Sequence, residues 1–157
     1  MATDEPRKHT LLITANLETD DATLAPFLTE SEVIRGIPFK LSLTIDNTGP
    51  ERFPGGRIAA MRIAAGALSH VFSIDEHEEK YEVGELGPSE STDLELDYIE
   101  PIDEGVGWIH VKIGASDGQA VEYQQNRDAA ATDREWSTPF FIVNRELLRL
   151  SALLKDL

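Results

Sequence analysis

The sequence predicts an all-β protein, an antiparallel β-sandwich with a short C-terminal helix. Three observations predict it: short runs of alternating apolar and polar residues, turn-forming residues between the runs, and a leucine-rich segment at the end. Seven to nine alternating runs at regular spacing are typical of a sandwich rather than of a parallel α/β sheet. The chain has 157 residues, the usual size of one domain. We divide it into a sandwich over residues 1–143 and an amphipathic helix over 144–157.

The first strand is predicted at residues 11–17, and acidic turn-forming residues at 18–21 end it. Residues 22–36 fit either a short edge strand or a loop, since Pro26 and Gly36 interrupt them.

The clearest alternation lies in residues 39–46, and turn formers at 47–50 follow it. Two further strands are predicted at residues 57–65 and 67–74, joined at Gly66. The first of them is rich in alanine and also fits a helix by propensity. The flanking glycines and the neighbouring strands favour a strand.

A charged hairpin tip is predicted at residues 75–79, followed by a strand at 81–86 and a turn at 87–90. The alternation of residues 93–98 predicts another strand. Its apolar residues, expected on one face, are Leu94, Leu96 and Tyr98.

Residues 108–113 form the next predicted strand, and residues 119–124 are expected to return beside it as a hairpin. The residues expected to face the core are Ile109, Val111 and Ile113, and those expected to face outward are Trp108, His110 and Lys112. After an alanine- and aspartate-rich loop, the last strand covers residues 136–143. Pro139 indicates that this strand lies at an edge or that Pro139 marks its start.

The final segment predicts a helix that Asn144 caps. Its three-and-four spacing places four leucines on the seam of a coiled coil, and Leu148 and Leu153 widen this stripe. The seam residues are Leu147, Leu150, Leu154 and Leu157. So wide a stripe must be covered by the sandwich itself, by a second copy or by another protein. We favour the last two, because a sandwich is complete without a terminal helix.

Three segments of residues 37–143 resemble the CARDB-like domains of bacteria and archaea, a group of immunoglobulin-like modules. They are LSLTIDNTG at 41–49, LGPSES at 86–91, and GWIHVKI at 107–113 with VEYQQN at 121–126. The sequence departs from the family pattern where Arg127 follows a single Asn126. The resemblance implies an immunoglobulin-like sandwich with an adhesion or scaffolding role, without an active site and usually within a larger surface protein.

Composition excludes several kinds of site. Because the chain has no cysteine, disulfides, thiolate metal sites and cysteine nucleophiles are absent. A net charge of −15 repels nucleic acid and anionic membranes. The scattered acidic residues favour a halophilic, salt-adapted protein over a specific acidic binding face. The first residues lack the apolar run of a signal peptide, so we expect a cytoplasmic protein, or an extracellular one if the chain is a trimmed fragment.

No residue pattern indicates catalysis, a cofactor or a metal. His77 lies among carboxylates on a predicted hairpin tip, and no second histidine stands at ligand-like spacing. The pairs Asp103–Glu104 and Glu95–Asp97 are expected to face solvent. Trp108 on an outer face is either an anchor for a partner or covered by the long loop or the helix.

The sequence therefore predicts a non-catalytic module that binds another protein, or itself, through Trp108 and the helix leucines. The alternative is a sandwich of adhesion type that binds carbohydrate or calcium through acidic loops. An enzyme is the least favoured interpretation.

Overall fold

The computed structural model describes residues 8–65, 68–71, 81–126 and 135–155. The alternating segments form two sheets that enclose one apolar core. The elements in chain order are β1 (Lys8–Thr19), a 3-10 turn (Ala25–Phe27), β2 (Glu32–Ile34), β3 (Phe39–Asn47), β4 (Gly56–Ala65), β5 (Leu68–Val71), β6 (Glu82–Val83), β7 (Ser91–Ile99), β8 (Gly105–Ala115), β9 (Ala120–Gln124), β10 (Trp136–Val143) and α1 (Arg145–Lys155).

The four-stranded sheet has the order β7-β3-β1-β9. The six-stranded sheet has the order β2-β10-β8-β4-β5, with β6 paired to β4. The predicted all-β architecture with two sheets is therefore confirmed. Two strand pairs, β1 with β9 and β10 with β2, are parallel, so the pairing is not antiparallel throughout. In both parallel pairs the two strands are far apart in sequence. The turn-forming residues between neighbouring strands therefore give no indication of this pairing.

The alternation of apolar and polar residues determines which side chains form the core. In β3 the residues Phe39, Leu41, Leu43 and Ile45 are fully buried, and the residues between them are partly exposed. The alanine-rich segment is strand β4, with Ile58, Met61 and Ile63 buried and a bulge between Ile58 and Ala60. A bulge explains why the alternation in this segment is irregular and resembles a helix.

Residues 119–124 do not form the predicted hairpin with the preceding strand. After the turn at Gly118, which has a φ of +74°, β9 crosses to the other sheet and pairs with β1. The Tyr123 hydroxyl oxygen reaches back across the core and accepts a hydrogen bond from the Ile113 N–H at 2.8 Å. Buried Val121 and Tyr123 fit either placement, so the pattern alone did not decide between them.

Two other predictions change in detail. Tyr98 faces solvent rather than sharing a face with Leu96, because a register shift between Lys40 and Ser42 turns Ile99 inward instead. The strand predicted at 81–86 is reduced to Glu82–Val83 and a separate bridge between Phe53 and Leu86.

The undecided segment at 22–36 contains both a 3-10 turn and the short edge strand β2. The hairpin tip predicted at 75–79, which includes His77, lies outside the described residues. The described part of the chain contains no helix long and apolar enough to cross a membrane.

Candidate functional site

The most distinctive surface lies on the outer face of the six-stranded sheet. Val106, Trp108 and Phe141 point away from the core and are 52%, 44% and 43% exposed. Trp108 lies opposite Pro139 of β10 on one side and opposite Ala64 of β4 on the other. Val106 lies opposite Phe141.

Directly opposite residues in an antiparallel pair share a face at about 4.5–5.5 Å between Cβ atoms. These five residues therefore form one continuous apolar surface. We call it the Trp108 face: Ala64, Val106, Trp108, Pro139 and Phe141.

The sequence places Trp108 outward because its neighbours in β8 alternate. Gly107 and Ile109 are buried, whereas Val106, Trp108 and Lys112 are exposed. The predicted outward position of Trp108 agrees with the structure. Sequence reasoning missed Val106 and Phe141 as its neighbours, because alternation fixes the direction of a side chain and not the register between strands.

Charged residues border the Trp108 face on two sides. On the β4 side, Arg62 is exposed and lies opposite His110. On the β10 side, His110 Nδ1 lies 3.2 Å from Glu135 Oε1, and Glu32 of β2 lies opposite Phe141. The β10 side is thus acidic and the β4 side basic.

The outer face of the four-stranded sheet is different. It is largely polar, with Asn16 donating to Thr44 and Thr44 donating to Asp93. Its outward acidic residues include Glu18, Asp46, Asp93, Glu95 and Glu122. Lys40 pairs with Glu95 on this face at 3.1 Å, and the hydrogen bond that Lys40 donates to Glu95 is the largest cause that raises the pKa of Lys40.

Helix α1 begins one residue after β10 and carries a second apolar surface. The Asn144 side chain caps it, accepting a hydrogen bond from the Glu146 N–H at 2.8 Å. The Asn144 amide also donates to Glu104 at 2.6 Å, which ties the start of the helix to the turn before β8. Among the described elements, α1 has no extensive contact with any strand.

The three leucines of α1 whose side chains the structure describes face water in the single chain. Leu150, Leu153 and Leu154 are 54%, 66% and 60% exposed. The side chain of Leu147 and the whole of Leu157 lie outside the description. The two seam leucines that are described, Leu150 and Leu154, thus have no apolar cover from the sandwich.

A cleft of about 650 Å³ lies at the far end of β8 from the Trp108 face. Its walls are largely backbone from three strands and the turns beside them. The glycines among its lining are Gly55, Gly56, Gly84 and Gly114, and its charged residues are Arg57, Glu82 and Glu85. Arg52 holds Glu85 at 3.1 Å.

The histidines and carboxylates singled out in the sequence do not converge. His9 is buried, and its Nε2 lies 2.8 Å from Asp117 Oδ2, with the edge of its ring against Phe53. Sequence reasoning missed this pair, whose members are 108 residues apart. Within the described ranges, no group of three or more histidines and carboxylates is placed to share a metal ion.

Comparison with known proteins gives one kind of match. No family model and no curated protein matches the chain. Among solved structures, the CARDB domain of the PF1109 protein of Pyrococcus furiosus is similar. Its crystal structure, in complex with di-metal ions, is 14% identical, covers 92% of this chain and 100% of its own, and has a TM-score of 0.45.

A solution NMR structure of the same domain is also 14% identical, with a TM-score of 0.39 and coverages of 86% and 95%.

Proposed function

We propose that this chain is a non-catalytic protein–protein interaction module of immunoglobulin-like type. Its two contact surfaces are the Trp108 face and helix α1, and it associates with itself through α1. The observation that carries this proposal is that two separate apolar surfaces of one small domain are left in water. A soluble domain rarely exposes contiguous apolar area without using it for binding.

The composition of the Trp108 face supports a protein partner. Aromatic side chains are the usual anchors of protein interfaces, and Trp108 stands at the centre of the patch with Val106 and Phe141 beside it. Charged groups such as Arg62 and Glu135 stand at its borders. An apolar centre with a polar rim is the usual composition of a binding interface.

Helix α1 supports association independently. With 11 residues it is too short to be stable alone in water, because isolated helices shorter than about 12–15 residues are marginal. Its stability must come from packing of the leucine stripe. Since the sandwich leaves Leu150, Leu153 and Leu154 exposed, another chain is the natural source of that packing.

The dispersal of the chemistry-bearing groups supports a non-catalytic role. His110 pairs with Glu135 near the sheet surface, and Arg52 pairs with Glu85 in solvent. Buried His9 pairs with Asp117, whose side chain is partly exposed at the end of the sandwich. None of these pairs lies beside a nucleophile of the described residues in the manner of a catalytic triad.

A direct test removes residues 145–157 and compares the mass of both chains by light scattering over a range of concentrations. The full chain is expected to be larger than a monomer and the truncated chain to be a monomer with the same melting temperature. An equal mass for the two chains, with no partner lost, contradicts the proposal.

A second candidate function is carbohydrate binding in the cleft, as in adhesion modules. Its support is the cleft of about 650 Å³, within the usual range of ligand sites, with Glu82 and Glu85 available to bind hydroxyl groups. Binding to the native state raises the melting temperature. Melts with a panel of sugars, and with Ca²⁺ for the calcium version, test this candidate.

We also propose that the acidity is a salt adaptation of a cytoplasmic protein. Carboxylates such as Asp46 and Glu122 stand on the outer face of the four-stranded sheet, which is largely polar, and there they hold water. Repulsion within a net charge of −15 is then balanced by salt in the surroundings.

A further inference from the structure

We infer that two copies of this chain exchange their C-terminal helices, so that α1 of each lies on the Trp108 face of the other. This inference rests on the proposed interaction function and names both the partner and the acceptor surface. In such a dimer the helix of each copy covers the Trp108 face of the other. One kind of contact, formed twice, therefore covers both apolar surfaces.

The connection between β10 and α1 favours exchange over folding back. Val143 ends the strand and Arg145 begins the helix, so only Asn144 connects them. Connections between a strand and a helix that packs on the same sheet usually contain about 2–6 residues. The side chain of Asn144 is also engaged, by the helix N-terminus and by Glu104. In agreement with this, α1 has no extensive contact with any described strand of its own sandwich.

The available area favours a reciprocal contact over a single one. The exposed parts of Val106, Trp108 and Phe141, with those of the three leucines, amount to roughly 600 Å², below the roughly 1,000 Å² expected of a specific interface. Two such contacts bury about 1,200 Å², which reaches the range of stable complexes. A two-fold axis produces two identical contacts and closes the assembly at a dimer.

Charge supports a second copy as the occupant and indicates where the helix lies. Helix α1 has a net charge of +2, from Arg145, Arg149 and Lys155 against Glu146. Since the whole chain has a net charge of −15, the residues outside α1 carry −17. Such a helix is attracted to the body of another copy.

Within the Trp108 face, the acidic border formed by Glu32 and Glu135 lies on the β10 side. Arg62 of β4 lies on the other side. We therefore place the incoming helix over β8 and β10 rather than over β4.

Because the chain has no cysteine, single introduced cysteines give an unambiguous cross-linking test. One full-length chain carries Leu153→Cys on α1. A second, distinguished by a size tag, carries Ala64→Cys at the border of the Trp108 face. The matched control carries Thr14→Cys, an exposed position on the outer face of the other sheet. The chains are mixed pairwise and treated with a short bismaleimide, which tolerates small errors of register.

The expected result is a mixed product from Leu153→Cys with Ala64→Cys that is several-fold more abundant than the product with Thr14→Cys. Equal yields overturn the inference. So does a dimer in which Leu153→Cys cross-links only to itself, because the helices would then pair with each other while the interaction function stands. A chain that stays monomeric before any cross-linking contradicts the proposed self-association itself, and this is read from its mass without reagent.

Discussion

Trp108 of β8 and Pro139 of β10 lie directly opposite each other on the outer face of the six-stranded sheet. Strand β2 pairs with residues 141–143 of β10, so among the described strands the Pro139 segment has no second neighbour on that side. Proline has no N–H to donate, and such an open stretch of strand tolerates it. The pair therefore presents apolar rings in the middle of the Trp108 face.

Asn47 should be essential for stability. It is buried, and its amide donates to the carbonyl oxygens of Glu51 at 2.8 Å and Leu86 at 2.9 Å. Its Oδ1 accepts from the Gly49 N–H at 3.1 Å. Replacement Asn47→Ala removes all three hydrogen bonds of this buried side chain and should lower the free energy of unfolding by about 2–3 kcal/mol.

Urea unfolding measures this loss, and Asn16→Ala is the control. Asn16 is exposed, and its amide donates to the exposed hydroxyl of Thr44. Its replacement should stay within about 0.5 kcal/mol of the original chain. Similar losses in the two variants would refute the assigned role of Asn47.

Acid stability should depend on Asp117. Burial disfavours the charged carboxylate and is the largest single effect, but the Gln119 N–H and the His9 ring together outweigh it. The pKa of Asp117 is therefore below its ordinary value. A carboxyl whose folded pKa is lowered stabilises the fold above its unfolded pKa, about 3.9, and this contribution is lost as the pH falls through the folded value.

The variant Asp117→Asn should accordingly be less stable than the original chain at pH 6, and the difference should shrink below about pH 4. Unfolding free energies from pH 2 to pH 7 test this. Asp20→Asn, at an exposed aspartate in the turn after β1, is the control, and at pH 6 its unfolding free energy should stay within about 0.5 kcal/mol of that of the original chain. A difference for Asp117→Asn that stays constant with pH would contradict the assignment.

Gly56 should tolerate no side chain. A Cβ atom there would fall on the carbonyl oxygen of Gly114, a backbone atom of the paired strand that cannot move aside. We expect Gly56→Ala to cost about 2–3 kcal/mol, by overpacking. In Gly84→Ala, on the same cleft, the new Cβ meets nothing within 4 Å, so stability should be unchanged or slightly higher. Thermal melts of the two variants decide, and equal melting temperatures would count against the close approach of β4 and β8.

Salt should stabilise the fold if the acidity is an adaptation. Raising KCl from about 0.1 M to 1 M shortens the screening length from about 10 Å to 3 Å, which weakens repulsion within a net charge of −15. The melting temperature should rise over this range, with most of the rise at the lower concentrations. Sucrose is the uncharged control. A melting temperature that stays flat or falls in KCl would exclude the adaptation.

Alternation predicted the parts of the fold that depend on one strand at a time. It gave the buried residues of β3, such as Leu41 and Ile45, and the outward direction of Trp108. It did not give the partners of a strand. The turn before β9 fits a hairpin as well as a crossing to the other sheet, and the pairing of β9 with β1 distinguishes them.

The candidate site was predicted in part for the same reason. A local pattern identified Trp108 and the helix leucines, because exposure and spacing are properties of one segment. Phe141 lies on the Trp108 face because of the register between β10 and β8. His9 contacts Asp117 because the fold brings together two residues that are 108 positions apart. Bulges, as between Lys40 and Ser42, also leave no reliable signal in a single sequence.

The central claim is that the Trp108 face mediates association, and sedimentation equilibrium of the double variant Trp108→Ser with Phe141→Ser tests it most directly. Tyr98→Ser is the control, because Tyr98 is 64% exposed on the other sheet. Loss of two aromatic anchors should weaken dimerisation by at least about 30-fold, equivalent to about 2 kcal/mol, with an unchanged melting temperature of the monomer. A double variant that dimerises as tightly as the original chain and as Tyr98→Ser would contradict the account.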